Sequence, residues 1–136
     1  MRITPENIDF YELPQKTIVI VGTNEMGIHG KGFAKYCKER GKLENRVGFG
    51  FSQYCFSIPT KDWFIRTLPL EVISFYISRF IAIAAVDLST TYWVTKIGCG
   101  LAGYTPEQIA PLFRECINLP NVYLPQEFWD ILNKEQ

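Results

Sequence analysis

Apolar residues along this chain fall into short continuous runs separated by longer segments with helical spacing. Thr17-Ile-Val-Ile-Val21 is almost entirely β-branched and ends at Gly22, the pattern of a strand buried on both faces. From about Gly30 to Lys42, Phe33, Tyr36 and Cys37 recur at helical spacing with charges between them, and Gly41 supplies a stop. Arg46 to Ser52 is rich in glycine and aromatics and reads as a loop. Tyr54-Cys-Phe-Ser-Ile58 reads as a second strand, ended by Pro59. A long helix is predicted from about Pro69 to Asp87, with Pro69 suited to its first turn. Ile73, Ile77, Phe80 and Ala84 form its core stripe, and Phe75, Ile83 and Val86 widen that stripe enough to predict extensive burial against a sheet.

Tyr92-Trp-Val-Thr-Lys-Ile97 is the third predicted strand. Thr105-Pro-Glu-Gln108 then combines an N-cap, a proline in the first turn and a capping-box glutamine, starting a helix that runs to about Cys116. Val122-Tyr-Leu124 is a short last strand, and Pro125 to Leu132 a terminal helical segment. Strands alternating with helices predict an α/β fold with a largely parallel sheet. Such sheets bind ligands beyond the carboxyl ends of their strands.

Two glycine-rich loops sit at such ends. Gly22-Thr-Asn24-Glu-Met-Gly27-Ile-His-Gly30-Lys-Gly32 follows the first strand, and Gly98-Cys99-Gly100-Leu101-Ala102-Gly103-Tyr104 follows the third. Glycine lets backbone N–H groups approach a ligand closely, and a helix N-terminus behind the loop adds partial positive charge. Two such loops suggest a clamp for a phosphate-bearing ligand, such as a diphosphate. The second loop matches G-x-G-x-x-G between a strand and a helix. In a Rossmann unit that motif belongs to the first strand–turn–helix, whereas here it comes late and the helix starts beyond the third glycine. The placement favours a phosphate cradle of another fold over an NAD-binding Rossmann unit or a pair of ligand-free turns.

Composition narrows the field. A chain of 136 residues, 47% hydrophobic and 21% charged, fits one domain spanning 1–136 with a full core. Its 14 basic and 14 acidic residues cancel, so no overall field draws it to nucleic acid or acidic lipid. Lys31, Lys35, Lys38, Arg40 and Lys42 are the local exception, read as the solvated face of a helix. The first sixteen residues have no apolar signal-peptide core, and Val72 to Val86 is shorter than the ~20 residues a bilayer needs. The expected location is the cytoplasm, that of the host if the gene belongs to a phage. Cys37, Cys55, Cys99 and Cys116 are widely spaced and His29 is the one histidine, so reduced cysteines and no metal or cofactor are expected. His29, in a glycine loop, reads as a polar loop residue.

Ser57-Ile-Pro-Thr60-Lys61 brings a lysine to the carboxyl end of the second strand. Lys61 reads as a surface cation, an anion contact, or an amine nucleophile toward an aldehyde-like sugar carbon. Asp62, if close, favours its charged form. Asn24 is either a turn former or, with Glu25, a hydrogen-bonding contact for a ribose or base.

Three ordered segments together resemble the macrodomain family. They are closest to the branch with the ADP-ribosyl-glutamate hydrolase of animals and the antitoxin that reverses DNA ADP-ribosylation. A first loop of the form GxGxA is matched by Gly27-Ile-His-Gly30-Lys-Gly32-Phe-Ala34. A strand ending in (I/P)TK is matched by Ile58-Pro-Thr60-Lys61, and a GCGL loop by Ile97-Gly-Cys-Gly-Leu101. The chain is also similar to small macro-like proteins of bacteriophages and their hosts. The resemblance implies a three-layer α/β domain, with helices flanking a mostly parallel or mixed sheet, that binds ADP-ribose or a related nucleotide. It implies a ligand contact set of Asn24, Gly27, Gly30, Gly32, Gly98, Cys99, Gly100, Leu101, Ala102, Gly103 and Tyr104, with Lys61 as the catalytic residue of a hydrolase. The partner of such a hydrolase would be an ADP-ribosylated protein or nucleic acid. The aspartate that follows GCGL in the animal hydrolase is Ala102 here, and the antitoxin branch also lacks an acid there. Glu25 and Asp62 are the candidate substitutes. Three readings stay open: an ADP-ribose binder, a hydrolase using Lys61, and a domain for NAD or a signalling nucleotide.

Overall fold

The computed structural model describes residues 1–135. The strands are β1 (Thr17–Asn24), β2 (Gly50–Phe51), β3 (Cys55–Lys61), β4 (Thr91–Val94) and β5 (Val122–Tyr123). The helices are α1 (Gly32–Arg40), α2 (Leu70–Val86), α3 (Pro106–Ile109), which continues as a 3₁₀ helix over Ala110–Asn118, and α4 (Gln126–Lys134). The sheet order is β2-β3-β1-β4-β5, parallel except for the antiparallel edge strand β2. The fold is thus α/β with a mixed, mostly parallel sheet and helices on both faces.

β1 is paired on both edges and covered on both faces, which is why its apolar run shows no alternation. Ile20 joins Phe56 and Ile58 of β3 beneath Ile73, Ile77 and Phe80 of α2. Val19 and Val21 face the other way, into a smaller cluster with Cys55, Leu43 and Cys37 of α1. Val19, Ile20 and Val21 are fully buried, a contribution of about 1.5–3 kcal/mol each. The amino-terminal segment closes the far edge. Ile3 bridges Leu124 in parallel, and Arg2 donates from Nε to the Val122 carbonyl and from Nη2 to those of Cys116 and Ile117.

Several expectations from the sequence need correction. β1 does not stop at Gly22 but runs to Asn24, and β3 runs through Pro59 to Lys61. The ladder absorbs the proline with an irregularity: Thr23 pairs with Pro59, then Asn24 with Lys61, skipping Thr60. The segment 46–52 contains β2, which pairs with β3. β4 ends at Val94, because Thr95 turns away to donate its hydroxyl to the Ile20 carbonyl at 2.6 Å. The helix begun at Thr105 does keep its capping glutamine, since the Thr105 N–H donates to Gln108 Oε1 at 2.9 Å. It becomes 3₁₀ at Ala110, where Pro111 lacks the N–H that an α-helix needs. Phe33 and Tyr36 are largely exposed, leaving Cys37 as the buried residue of α1. Phe75 and Val86 are exposed as well, because α2 packs through a single face.

Asn121 ties α2 to the sheet. Its buried side-chain amide donates to the carbonyls of Ala84, Asp87 and Thr90 at 3.0–3.1 Å, fixing the turn between α2 and β4. Asn121→Ala removes the donor to all three, leaving the Ala84 and Thr90 carbonyls without it and Asp87 with only a long bond from the Thr90 N–H, and should lower unfolding stability by about 1–3 kcal/mol, measured by urea titration. In Asn121→Asp a carboxylate faces the same oxygens, so the folded state raises its pKa. The stability deficit of this variant should therefore be largest at neutral pH. It should shrink, relative to wild type at each pH, as pH falls toward about 4.

Candidate functional site

The carboxyl ends of β1, β3 and β4 open into a cavity of about 500 Å³ walled by both glycine loops. Of the residues singled out in the sequence, Asn24, Gly30, Gly32, Lys61, Gly98, Gly100, Leu101 and Ala102 line it. Gly27, Cys99, Gly103 and Tyr104 lie outside the lining. The ladder irregularity at Pro59 sets Lys61 opposite Asn24, with the Glu25 N–H donating to the Lys61 carbonyl at 2.8 Å.

The residues outside the lining shape the loops. Gly27 has φ +76°, and a Cβ there would meet the Arg46 backbone at 2.5 Å, so only glycine fits. Tyr104 donates its hydroxyl to the Leu68 carbonyl at 2.6 Å and its N–H to the Gly98 carbonyl at 2.9 Å, pinning the second loop near the start of α2. Thr67 donates its hydroxyl to the Ala102 carbonyl at 2.9 Å, a second tie. Burial pushes the Cys99 thiol up to about 11, which favours the protonated thiol at neutral pH.

The first loop is held by its polar side chains. The Asn24 amide donates to the Ile28 carbonyl at 2.7 Å, and its oxygen accepts from the Ile28 N–H at 3.0 Å. This is the turn-forming role, and it occupies both ends of the side chain. His29 is 1% exposed and tethers the loop by donating from Nε2 to the Glu44 carbonyl at 2.7 Å. Burial lowers its pKa, and Nδ1 has no protein partner. The expected polar role is present, at a buried position.

The electrostatics of the cavity are one-sided. Lys31, Lys61 and Lys96 line it, and no carboxylate does among the described residues. The first turn of α1 forms part of the wall, has no side-chain cap and contains no acid. Its orphan N–H groups add partial positive charge. The N–H groups of Gly30, Gly100, Leu101 and Ala102 also make no hydrogen bond among the described residues. At Gly30 and Gly100 nothing lies within 4 Å of an added Cβ, so the protein's own packing does not require glycine there.

The candidate acids are engaged elsewhere. Glu25 accepts a 2.5 Å hydrogen bond from the Tyr76 hydroxyl; burial, reinforced by that carboxylate, pushes the phenol up to about 12. Asp62 accepts from the N–H groups of Phe64 and Arg66 and from Arg66 Nε, which hold its carboxyl below the usual range. Neither lines the cavity. Lys61 is absent from the ion pairs among the described residues, which are Asp62–Arg66, Lys96–Glu127 and Arg114–Glu135.

A second cavity of about 540 Å³ abuts the first, sharing Phe33, Thr95 and Lys96. Its other walls come from Ile3 to Glu6, Ile8 and Pro125 to Glu127. The buried Thr4 hydroxyl in this wall has no protein partner. The sequence reading did not include this cavity. Its residues come from both ends of the chain and form no motif, and Pro125 closing a strand was the one local signal.

No protein-family model and no curated protein sequence matches the chain. Two solved structures are similar to it. The macrodomain of Thermus aquaticus DarG superposes with a TM-score of 0.63 at 20% identity, over 92% of this chain and 97% of that one. Thermosipho africanus DarTG, in complex with ADP-ribose, superposes with a TM-score of 0.62 at 20% identity, over 90% of this chain. The chain spans 41% of that larger protein. With its order of strands and helices and these superpositions, the chain has the macrodomain fold.

Proposed function

We propose that this protein binds ADP-ribose or a related ADP-containing nucleotide across the two abutting cavities. The carrying observation is the glycine-loop cavity, which has three lysines, an uncapped helix start and unpaired backbone N–H groups and, among the described residues, no carboxylate. Such a wall suits a diphosphate, whose oxygens accept hydrogen bonds and repel carboxylates. The second cavity, with Ile3, Ile8, Phe33 and Pro125 beside the unpaired Thr4 hydroxyl, suits a base: apolar walls for its faces and a few polar groups for its edge. In this pose the distal ribose lies toward Lys61. The similar DarTG structure is a complex with ADP-ribose, which supports the same ligand class.

A second reading makes the protein an ADP-ribosyl hydrolase. Lys61 carries it, because it lines the cavity and takes part in no ion pair among the described residues. The neutral amine would attack the anomeric carbon, the carbon–oxygen or carbon–nitrogen bond to the modified group would break, and water would release the sugar from the lysine adduct. Ala102, and the engagement of Glu25 and Asp62 elsewhere, leave this reading without a carboxylate in the cavity. The binding reading needs none.

Calorimetric titration with ADP-ribose, NAD and AMP separates the ligand classes, and two substitutions test the pose. Gly100→Val should fold normally, since the site of its Cβ is open, yet lose ADP-ribose affinity by tenfold or more (~1.4 kcal/mol) through a clash with the diphosphate. Unchanged affinity in the folded variant would remove the diphosphate from this loop.

Lys61→Ala should weaken ADP-ribose by about 1–2 kcal/mol and leave AMP unaffected, since AMP lacks the distal ribose. Phe33→Ala should weaken both ligands. Release of ADP-ribose from modified glutamate and from modified DNA decides the second reading. Turnover that Lys61→Ala abolishes supports the hydrolase; turnover that survives in the variant excludes the lysine mechanism.

A further inference from the structure

The outward side of α2 presents apolar residues to solvent beside two opposite charges. Phe75 is 58% exposed and Val86 86%, with Ala82 exposed between them. The helix carries only two charges, Glu71 and Arg79, both exposed and opposite in sign. They lie on the same side as Phe75, which stands midway between them in sequence. Arg79 also sits over the Phe49 and Phe75 rings at 5.6 and 5.8 Å, which holds its guanidinium beside this face.

This arrangement is self-complementary. When two copies of α2 pack antiparallel about a two-fold axis at Phe75, Glu71 of each copy stands opposite Arg79 of the other. The charges are about 12 Å apart along each helix, so one operation forms both ion pairs and brings the two Phe75 rings together at the axis. Val86 of each copy then overhangs the start of the other helix by about 9 Å. Such an interface would cover the exposed Phe75 side chains that a monomer leaves in water.

We propose that α2 is the contact face of an isologous dimer of this chain, with reciprocal Glu71–Arg79 pairs around Phe75. The proposal is independent of the ligand, because neither charged residue lines either cavity.

The test is sedimentation velocity of the full chain from micromolar to millimolar concentration, with far-UV circular dichroism as the folding control. The wild type should approach twice 15.7 kDa, with a dissociation constant that rises with salt. Glu71→Arg and Arg79→Glu each set like charges opposite one another twice per dimer, and each should raise that constant by about tenfold or more. The double charge swap should restore it. A wild type that stays monomeric at millimolar concentration overturns the proposal. So does a dimer that both single reversals leave intact, or a double swap that fails to re-form it. ADP-ribose affinity should be the same in all four proteins, so a failure here is distinct from a failure of the binding site.

Discussion

The structure depends on the confinement of β1. A parallel strand paired on both edges and covered on both faces can present polar groups only at its ends. Val19, Ile20 and Val21 fill two separate cores, so polar side chains appear only past them, at Thr23 and Asn24, which are themselves buried and pair with β3 at the end of the strand. Pro59 sharpens this. It cannot donate to the ladder, and the irregularity beside it moves Lys61 rather than Thr60 opposite Asn24. The cavity is thus a consequence of where a buried strand can stop, and its lysine is placed by a proline two residues upstream.

The charge of the cavity arises by local segregation in a chain whose net charge is zero. Three nearby carboxylates are drawn off by other groups, Glu25 by the Tyr76 hydroxyl, Asp62 by the turn it caps and Glu127 by Lys96, while Glu6 stands in the wall of the second cavity, outside the first. The Lys96–Glu127 pair lies where the two cavities meet, so it leaves Lys31, Lys61 and the helix start as the unneutralised positive groups of the first cavity. An exposed pair such as this adds little stability. Its significance here is to withdraw a negative charge from a wall otherwise suited to anions.

Much of this was legible in the sequence, and the failures have definite causes. β-branched runs marked the strands, and the glycine loops marked the functional end of the sheet. The resemblance of three ordered segments to macrodomains anticipated the fold that the superpositions show. Apolar periodicity does not say whether anything covers a helix face: Phe75 and Val86, which extend the predicted core stripe of α2, are exposed, as are Phe33 and Tyr36 of α1. Pro111 turned a predicted α-helix into 3₁₀, an effect of one missing N–H within a strong helical pattern. The second cavity is a tertiary product. Residues 3–8 meet 125–127 only because the amino-terminal segment lies against Leu124, held there by Arg2 and by the Trp129 indole, which donates to the Arg2 carbonyl at 2.6 Å.

The glycines show most clearly why a motif is weaker evidence than a geometry. In the sequence they form two similar loops; in the fold they answer different demands. Gly27 is required by the Arg46 backbone against it, and Gly98 by its φ of +74° with Ile109 at 3.0 Å from an added Cβ. These positions would be glycine in a protein that bound nothing. Gly30 and Gly100 face open space inside the cavity wall, where protein packing supplies no reason to avoid a side chain. A residue with no internal reason to lack a Cβ, beside N–H groups with no internal acceptor, is what the proposed nucleotide would require if it comes close to the backbone. Of the eleven residues in the first loop and seven in the second, Gly30 and Gly100 are the two at which an added side chain would report on the ligand alone.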